Sequence, residues 1–371
     1  MNDDPPGLYL HIPFCVTRCI YCDFYSDTRI SMAGRLLGCL AAENAPRGMG
    51  FSAFDTVYIG GGTPSAMPAG SIALLMERIG GRFETAPGAE VTIEVNPDDV
   101  TAGKLAEYRG AGINRISVGV QSFDDGELKF LGRRHDARSA IGAARAIREA
   151  GMENLGIDLI YGFAGHTIES WRSTLETALS LGPEHVSCYQ MTIEGPTPMA
   201  RMLAAGRIEE TGEELQRELF LLASAALTDH GYIHYEISNY ARGEGAASRH
   251  NGKYWAHAPY LGLGPSAHSF AGGERWWNLP SIEGYCGGVE GGEGPPRGSE
   301  RLTARQFDLE TLYLGLRTAR GLPLGFLSRF PAWERALERL ENESCLRIEG
   351  DRVVPTTKGF LFADSLPLFF L

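Results

Sequence analysis

Six short apolar runs, each followed by a helical stretch, constrain the fold of this chain more than any other feature. The runs are Leu8–Ile12, Thr56–Ile59, Glu90–Val95, Arg115–Gly119, Gly156–Ile160 and His185–Met191. Strands that alternate with helices predict a parallel sheet joined by right-handed crossovers. Six such units predict an α/β fold, an open or partial (β/α)6 barrel. The clearest helix is Ala137–Glu149, with Asp136 as N-cap and Gly151 just past its end. Its Ala140, Ile141, Ala144 and Ile147 fall on one face. Barrels of this kind collect ligands at the C-terminal ends of their strands. The residues that follow each run are therefore the ones to read for chemistry.

After the first run comes Pro13-Phe-Cys15-Val-Thr-Arg-Cys19-Ile-Tyr-Cys22-Asp-Phe24-Tyr25. Proline has no N–H to donate and stops the ladder. The C-x3-C-x2-C spacing gathers three thiolates on one loop. A [4Fe–4S] cube takes four ligands, one per iron. Three local cysteines, with Phe24 where a fourth would fall, leave one iron open to another molecule. A zinc site would need His11 or Asp23 as a further ligand, at a spacing that fits no common zinc signature. A structural disulfide does not suit a reducing compartment.

The later loops carry weaker signals, each with a bland alternative. Gly60-Gly61-Gly62-Thr63-Pro64-Ser65 lets a backbone approach a ligand closely, yet glycine loops are also ordinary turns. It lacks the lysine of a phosphate-binding P-loop. Glu94 begins a turn and suits a ribose diol, although a lone strand-end glutamate is commonly a solvated charge. Gln121 suits polar recognition of a nucleoside, and Arg133 suits a carboxylate. Arg134 and His135 read as surface residues. Asp158 sits among apolar neighbours, where a carboxylate is costly unless partnered, so a ligand role is expected of it. Thr192 closes the sixth run.

From Pro198 the alternation weakens. Glu209–Gly231 reads as a helix and Tyr232–Ile237 as a strand. The stretch Ser248-Arg-His250-Asn251-Gly-Lys-Tyr254-Trp255 joins an imidazole able to ligate haem iron to two flat aromatic faces. The same histidine read blandly is a packed residue in a polar loop. His268 is a second candidate for the iron, its own bland reading being structural. Glu283–Arg301, rich in Gly, Pro and Glu, reads as a linker. Thr303 and Gln306 form a capping box. A helix over Ala332–Glu343 and a hairpin turning at Gly350-Asp351 then predict a small winged-helix-like module. The apolar tail Leu366–Leu371 is expected to dock on the body. The divisions that follow are residues 1–200, 201–290 and 302–371.

The formal charge of −12 over 371 residues excludes a general nucleic-acid surface. No apolar window is long enough for a transmembrane span. The start, Met1-Asn-Asp-Asp, lacks an apolar signal core, so a cytoplasmic location is expected. Seven cysteines, an odd number, agree with a reducing compartment.

Taken together, HIPFCVTRCIYCDFYS, GGGTPS, EVNP, GVQSF, LGRRH, DLIYGF and YQMTIE resemble the radical S-adenosylmethionine (SAM) superfamily. Their order is that of its coproporphyrinogen dehydrogenase and haem chaperone (HemN/HemW) family. That resemblance implies a radical SAM barrel, followed by an α+β region and the winged-helix-like module. It implies a [4Fe–4S] cluster on Cys15, Cys19 and Cys22. It also implies SAM sites lined by Tyr9, Tyr21, Gly61, Gly62, Thr63, Glu94, Gln121, Arg133 and Asp158, with Thr192 a weaker member. Dehydrogenase members carry a further cysteine where this chain has Phe24, whereas the H-N-x-x-Y-W block resembles the haem chaperone branch. The function implied is therefore haem binding, through His250, and delivery to a haem-requiring protein. The alternative is oxygen-independent decarboxylation of coproporphyrinogen III. The reading also calls for a reductant of the cluster, and it is compatible with a homodimer and with peripheral membrane contact through a partner.

Overall fold

A computed structural model describes residues 4–43, 51 and 53–371; the first three residues, cited above for the missing signal core, lie outside it. The six runs are six parallel strands: β1 (Gly7–Ile12), β2 (Phe54–Gly61), β3 (Thr85–Val95), β4 (Arg115–Gln121), β5 (Asn154–Tyr161) and β6 (His185–Gln190). They lie side by side in chain order. Alternate residues explain the packing. Leu8, Leu10, Val57, Ile59, Ile116, Val118, Ile157, Leu159 and Val186 are fully buried in one continuous core. The residues between them (Tyr58, Glu94, Ser117, Asp158 and Ser187) point the other way and share one cavity. Polar residues therefore line the inside of the barrel, while apolar ones hold it to its helices. Helix Ala137–Glu149 forms as its pattern predicts: the Asp136 carboxylate accepts from the Ser139 N–H, and Ala140, Ala144 and Ile147 are buried.

The barrel does not close on itself. Strand β7 (Ile233–Glu236) and β8 (Asn239–Ala241) extend the sheet beyond β6. On the other side β9 (Tyr260–Leu263) runs parallel to β1, followed by β10 (His268–Ala271), β11 (Glu274–Asn278) and β12 (Arg297–Arg301), all antiparallel. The α+β stretch thus adds strands to both edges of the barrel sheet and builds no sheet of its own among the described residues.

The stretch read as a linker is ordered secondary structure. It holds helix Ile282–Glu290 as well as β12. Three glycines in that helix cost about 1 kcal/mol each against alanine, which is why the sequence reads as loop. Burial of Ile282, Tyr285 and Cys286 outweighs them. The Tyr285 hydroxyl donates to the buried Glu43 carboxylate at 2.6 Å, and Arg35 pairs with Glu290 at 2.6 Å, so the helix is fastened to helix Ala33–Ala42.

The C-terminal region has its own apolar cluster, which includes Leu312, Leu337, Leu340, Val353 and Phe370. Helix Ala304–Gly315 starts at the Thr303/Gln306 capping box. Helix Trp333–Asn342 precedes the hairpin of β14 (Leu346–Glu349) and β15 (Arg352–Pro355), and a short β13 (Leu322–Pro323) pairs with β15. The apolar tail docks by Leu366 and Phe370 into this cluster, not onto the barrel. Among the described residues no helix is long and apolar enough to cross a membrane.

Candidate cofactor site

The cysteine loop leaves β1 at Pro13 and is pinned at both ends. Cys15 N–H donates to Asp27 O at 2.9 Å, and Asp27 N–H donates to Pro13 O at 2.6 Å. The glycine turn after β2 grips it from the side: Gly62 N–H donates to Ile12 O (2.8 Å) and Thr63 N–H to Phe14 O (2.7 Å). A Cβ on Gly62 would lie 2.8–2.9 Å from the backbone of Pro13 and Phe14, so only glycine permits this approach. Gly61, at φ +114°, sits against the His11 ring. His11 cannot complete a metal site in this arrangement. Its Nδ1 is bonded to Tyr9 Oη at 3.0 Å and its Nε2 to Tyr25 O at 3.2 Å.

All seven cysteines are free thiols. Thr63 Oγ1 donates to Cys15 Sγ at 3.4 Å, and Arg133 Nη1 to Cys19 Sγ at 3.3 Å. Among the described residues no three His, Cys, Asp or Glu side chains are arranged to hold a single metal ion. A cube makes a different demand, because each thiolate binds a different iron. The donor set fits that group: three thiols on one loop border the cavity, with a guanidinium beside one of them. Arg133 Nε is buried and has no partner, an orphan donor at the cavity wall.

The cavity measures about 650 Å³, within the range of small-molecule sites. Glu94 is held by the Tyr58 hydroxyl (2.8 Å) and the Gly61 N–H (3.2 Å). Burial raises its pKa to about 7, against the lowering effect of the Tyr58 hydroxyl. Asp158 accepts Ser187 Oγ at 2.6 Å and Ser117 Oγ at 2.8 Å; burial pushes it up and these hydroxyls pull it back. Gln121 has φ +71° at a bulge in the β4–β5 pairing. A non-glycine residue there stores strain, and a bulge re-aims a side chain, both marks of a functional position. Arg133 Nη2 donates to Gly119 O at 2.6 Å.

Tyr21, Gly61, Gly62, Thr63, Glu94, Gln121, Arg133, Asp158 and Thr192 thus border the same cavity as the three cysteines. Tyr9 and His250 do not. Tyr9 faces the interior below the cavity, its hydroxyl on His11. His250 is 1% exposed, on helix Arg249–Trp255. Its Nδ1 is bonded to Thr56 Oγ1 (2.8 Å), its Nε2 to Tyr254 Oη (3.0 Å), and its N–H donates to Glu90 (3.0 Å). Thr56 and Glu90 begin the parallel stretches of β2 and β3, and His250 also packs against Gly7. The H-N-x-x-Y-W helix therefore plugs the N-terminal end of the barrel, about 16 Å along the strands from the cysteine loop.

Two residues read as surface are not. His135 is 3% exposed with Nε2 on Val120 O, and Arg134 lines the cavity with Nη2 on Asp99 at 3.0 Å. Ser117, Ser187 and Tyr58 were missed. Their signal was inward parity: each occupies an alternate position on a strand whose neighbours face the core.

A sequence model described as the radical SAM superfamily matches residues 9–178. The chain is 36% identical to the heme chaperone HemW of Mycobacterium tuberculosis (strain ATCC 25618 / H37Rv), over 99% of this chain and 95% of that one. It is 34% identical to the heme chaperone HemW of Bacillus subtilis (strain 168), over 85% and 84%. Among solved structures, coproporphyrinogen III oxidase (HemN) from Escherichia coli, described as a radical SAM enzyme, superposes with a TM-score of 0.84. The match spans 99% of this chain and 90% of that one at 25% identity.

Proposed function

The chain belongs to the HemW-type radical SAM family, and from that premise we propose that it is a haem chaperone which binds haem and hands it to a haem-requiring protein. The cluster ligands are Cys15, Cys19 and Cys22, and SAM occupies the cavity beside them. The observation that carries the cofactor half is the convergence of three free thiols, an unpartnered Arg133 Nε and the polar inward side chains on one cavity. The haem half is supported by full-length similarity to proteins named heme chaperones.

The chain's own groups divide the work of binding. Arg133 is anchored through Gly119 O and aims its guanidinium along Cys19. That cation suits the carboxylate of an amino acid. Asp158, preset by two serine hydroxyls, and Glu94, preset by Tyr58, offer acceptors from the two strands that flank β4 to polar hydrogens of the ligand. When bound, the cluster would supply one electron toward the sulfonium of SAM.

The HemN fold match favours a second reading, oxidation of coproporphyrinogen III. Phe24 argues against it, as it stands 69% exposed where the resemblance to dehydrogenases calls for a cysteine. Anaerobic reconstitution followed by hemin titration and a coproporphyrinogen III assay on one sample separates the two. The chaperone reading expects a stoichiometric haem complex, transfer to an apo-haem protein and no conversion. SAM-dependent conversion without a haem complex would replace it by the enzyme.

A further inference from the structure

Resting on that haem-carrying reading, we propose that the haem iron is ligated by His268, on the shelf formed by β10 and β11, and not by His250. An axial ligand needs a ring nitrogen with a clear path to a macrocycle. Of the nine histidines, seven are buried or half-buried, and each of those holds at least one ring nitrogen on a protein partner. His250 holds both. Two remain exposed. His230 ends helix Glu213–Asp229, with Nδ1 on Ala226 O and no ring contact among the described residues. His268 has no hydrogen-bond partner among the described residues, so both its nitrogens are free.

Its surroundings suit a flat apolar ligand. Trp277 lies directly across the β10–β11 pair, with ring centroids 5.9 Å apart and planes at 21°. Gly298 on β12 makes room for that indole: a Cβ there would come within 2.5 Å of it. Leu279, just past β11, is 46% exposed. An imidazole and an indole thus stack at the surface, with an exposed isobutyl group two residues beyond the indole, groups that suit iron and a porphyrin plane. The shelf also abuts the cofactor site. His268 is close enough to His11 to disfavour its protonation, after burial, and His11 in turn touches Gly61 at the glycine turn. Haem here would sit across β1 from the SAM cavity.

The test is hemin titration of the reconstituted full chain, read by Soret position and dissociation constant. His268→Ala should weaken hemin binding at least tenfold and shift the Soret band, and free imidazole should restore the wild-type band. Trp277→Ala should weaken binding with the band in place. His250→Gln, which keeps a hydrogen-bonding side chain in the barrel floor, and His230→Ala should leave the band unmoved. Iron content of the cluster checks that each variant is folded. If His268→Ala keeps the wild-type band and affinity, or His250→Gln or His230→Ala abolishes the complex, the site is wrong while the chaperone reading stands. If wild type itself forms no complex, the chaperone reading fails and this site with it.

Discussion

Cys19 and Asp158 are the side chains with the plainest consequences. Cys19 is one of three local sulfurs, and no other cysteine borders the cavity. Cys19→Ala should drop the reconstituted iron load well below the about four per chain of a cube, with loss of the visible absorbance. Asp158 stands off the cluster loop, and its oxygens are occupied by two serine hydroxyls that can turn toward a ligand. Asp158→Ala should raise the SAM dissociation constant about tenfold, about 1.4 kcal/mol, in calorimetric titration. The iron content should not change. An unaltered dissociation constant would make Asp158 a purely structural acceptor. Gln121 shows why some of the site escaped the sequence. Its amide was legible as a polar tip, but its left-handed backbone and the bulge beneath it are products of strand pairing.

Two elements hold the barrel at its ends. At the C-terminal end the glycine turn clasps the cysteine loop. Gly62→Ala forces a Cβ into the Pro13–Phe14 backbone, an overpacking of about 1–3 kcal/mol. The expected result is a lower urea midpoint together with poor cluster incorporation. At the N-terminal end helix Arg249–Trp255 plugs the barrel floor. His250→Ala leaves the Thr56 and Tyr254 hydroxyls without their ring partner and opens a void, a loss of about 2–4 kcal/mol. The urea midpoint should fall accordingly. The H-N-x-x-Y-W letters could be read as ligand or as packing. For His250 the packing against β1, β2 and β3 decides: Thr56 of β2 takes Nδ1 and Glu90 of β3 takes its N–H, while Tyr254 of the same helix takes Nε2.

At the scale of the whole molecule, burial of ionisable groups sets the pH response. His11, His135, His166 and His234 are lowered to about 4 and His250 to about 3, in each case chiefly by burial. Below pH 6.5 the unfolded chain therefore binds protons that the folded chain refuses, and stability falls with pH. Each histidine held at about 4 costs about 2 kcal/mol on going from pH 7 to pH 5. Glu94 and Glu236, raised to about 7 by burial, act in the opposite sense: folded protein takes their protons between about 4.5 and 7. The histidines outnumber them, so the urea midpoint of cluster-free protein should rise from pH 5 to 6.5 and level off near 7. Glu236→Gln removes an opposing group and should steepen that rise. A midpoint that falls over this range would contradict the burial of the histidines.

The covalent order of the chain was enough for the parallel core. Period-two apolar runs, the Asp136 cap and the C-x3-C-x2-C loop are local patterns, and each of them forms where its residues predict. The glycine turn, Glu94, Gln121, Arg133 and Asp158 were legible because strand ends are where such barrels gather ligands. Four things belonged to tertiary structure alone. Arg134 and His135 are drawn inward by Asp99 and Val120 O. Tyr9 falls below the cavity, onto His11. A glycine-rich stretch becomes the helix Ile282–Glu290, since its Tyr285 meets Glu43. And of two candidate histidines, one is sealed in the barrel floor while the other stands free on the sheet. The physical reason is common to all four: how far a side chain is buried depends on packing against elements distant in sequence, which no local pattern specifies.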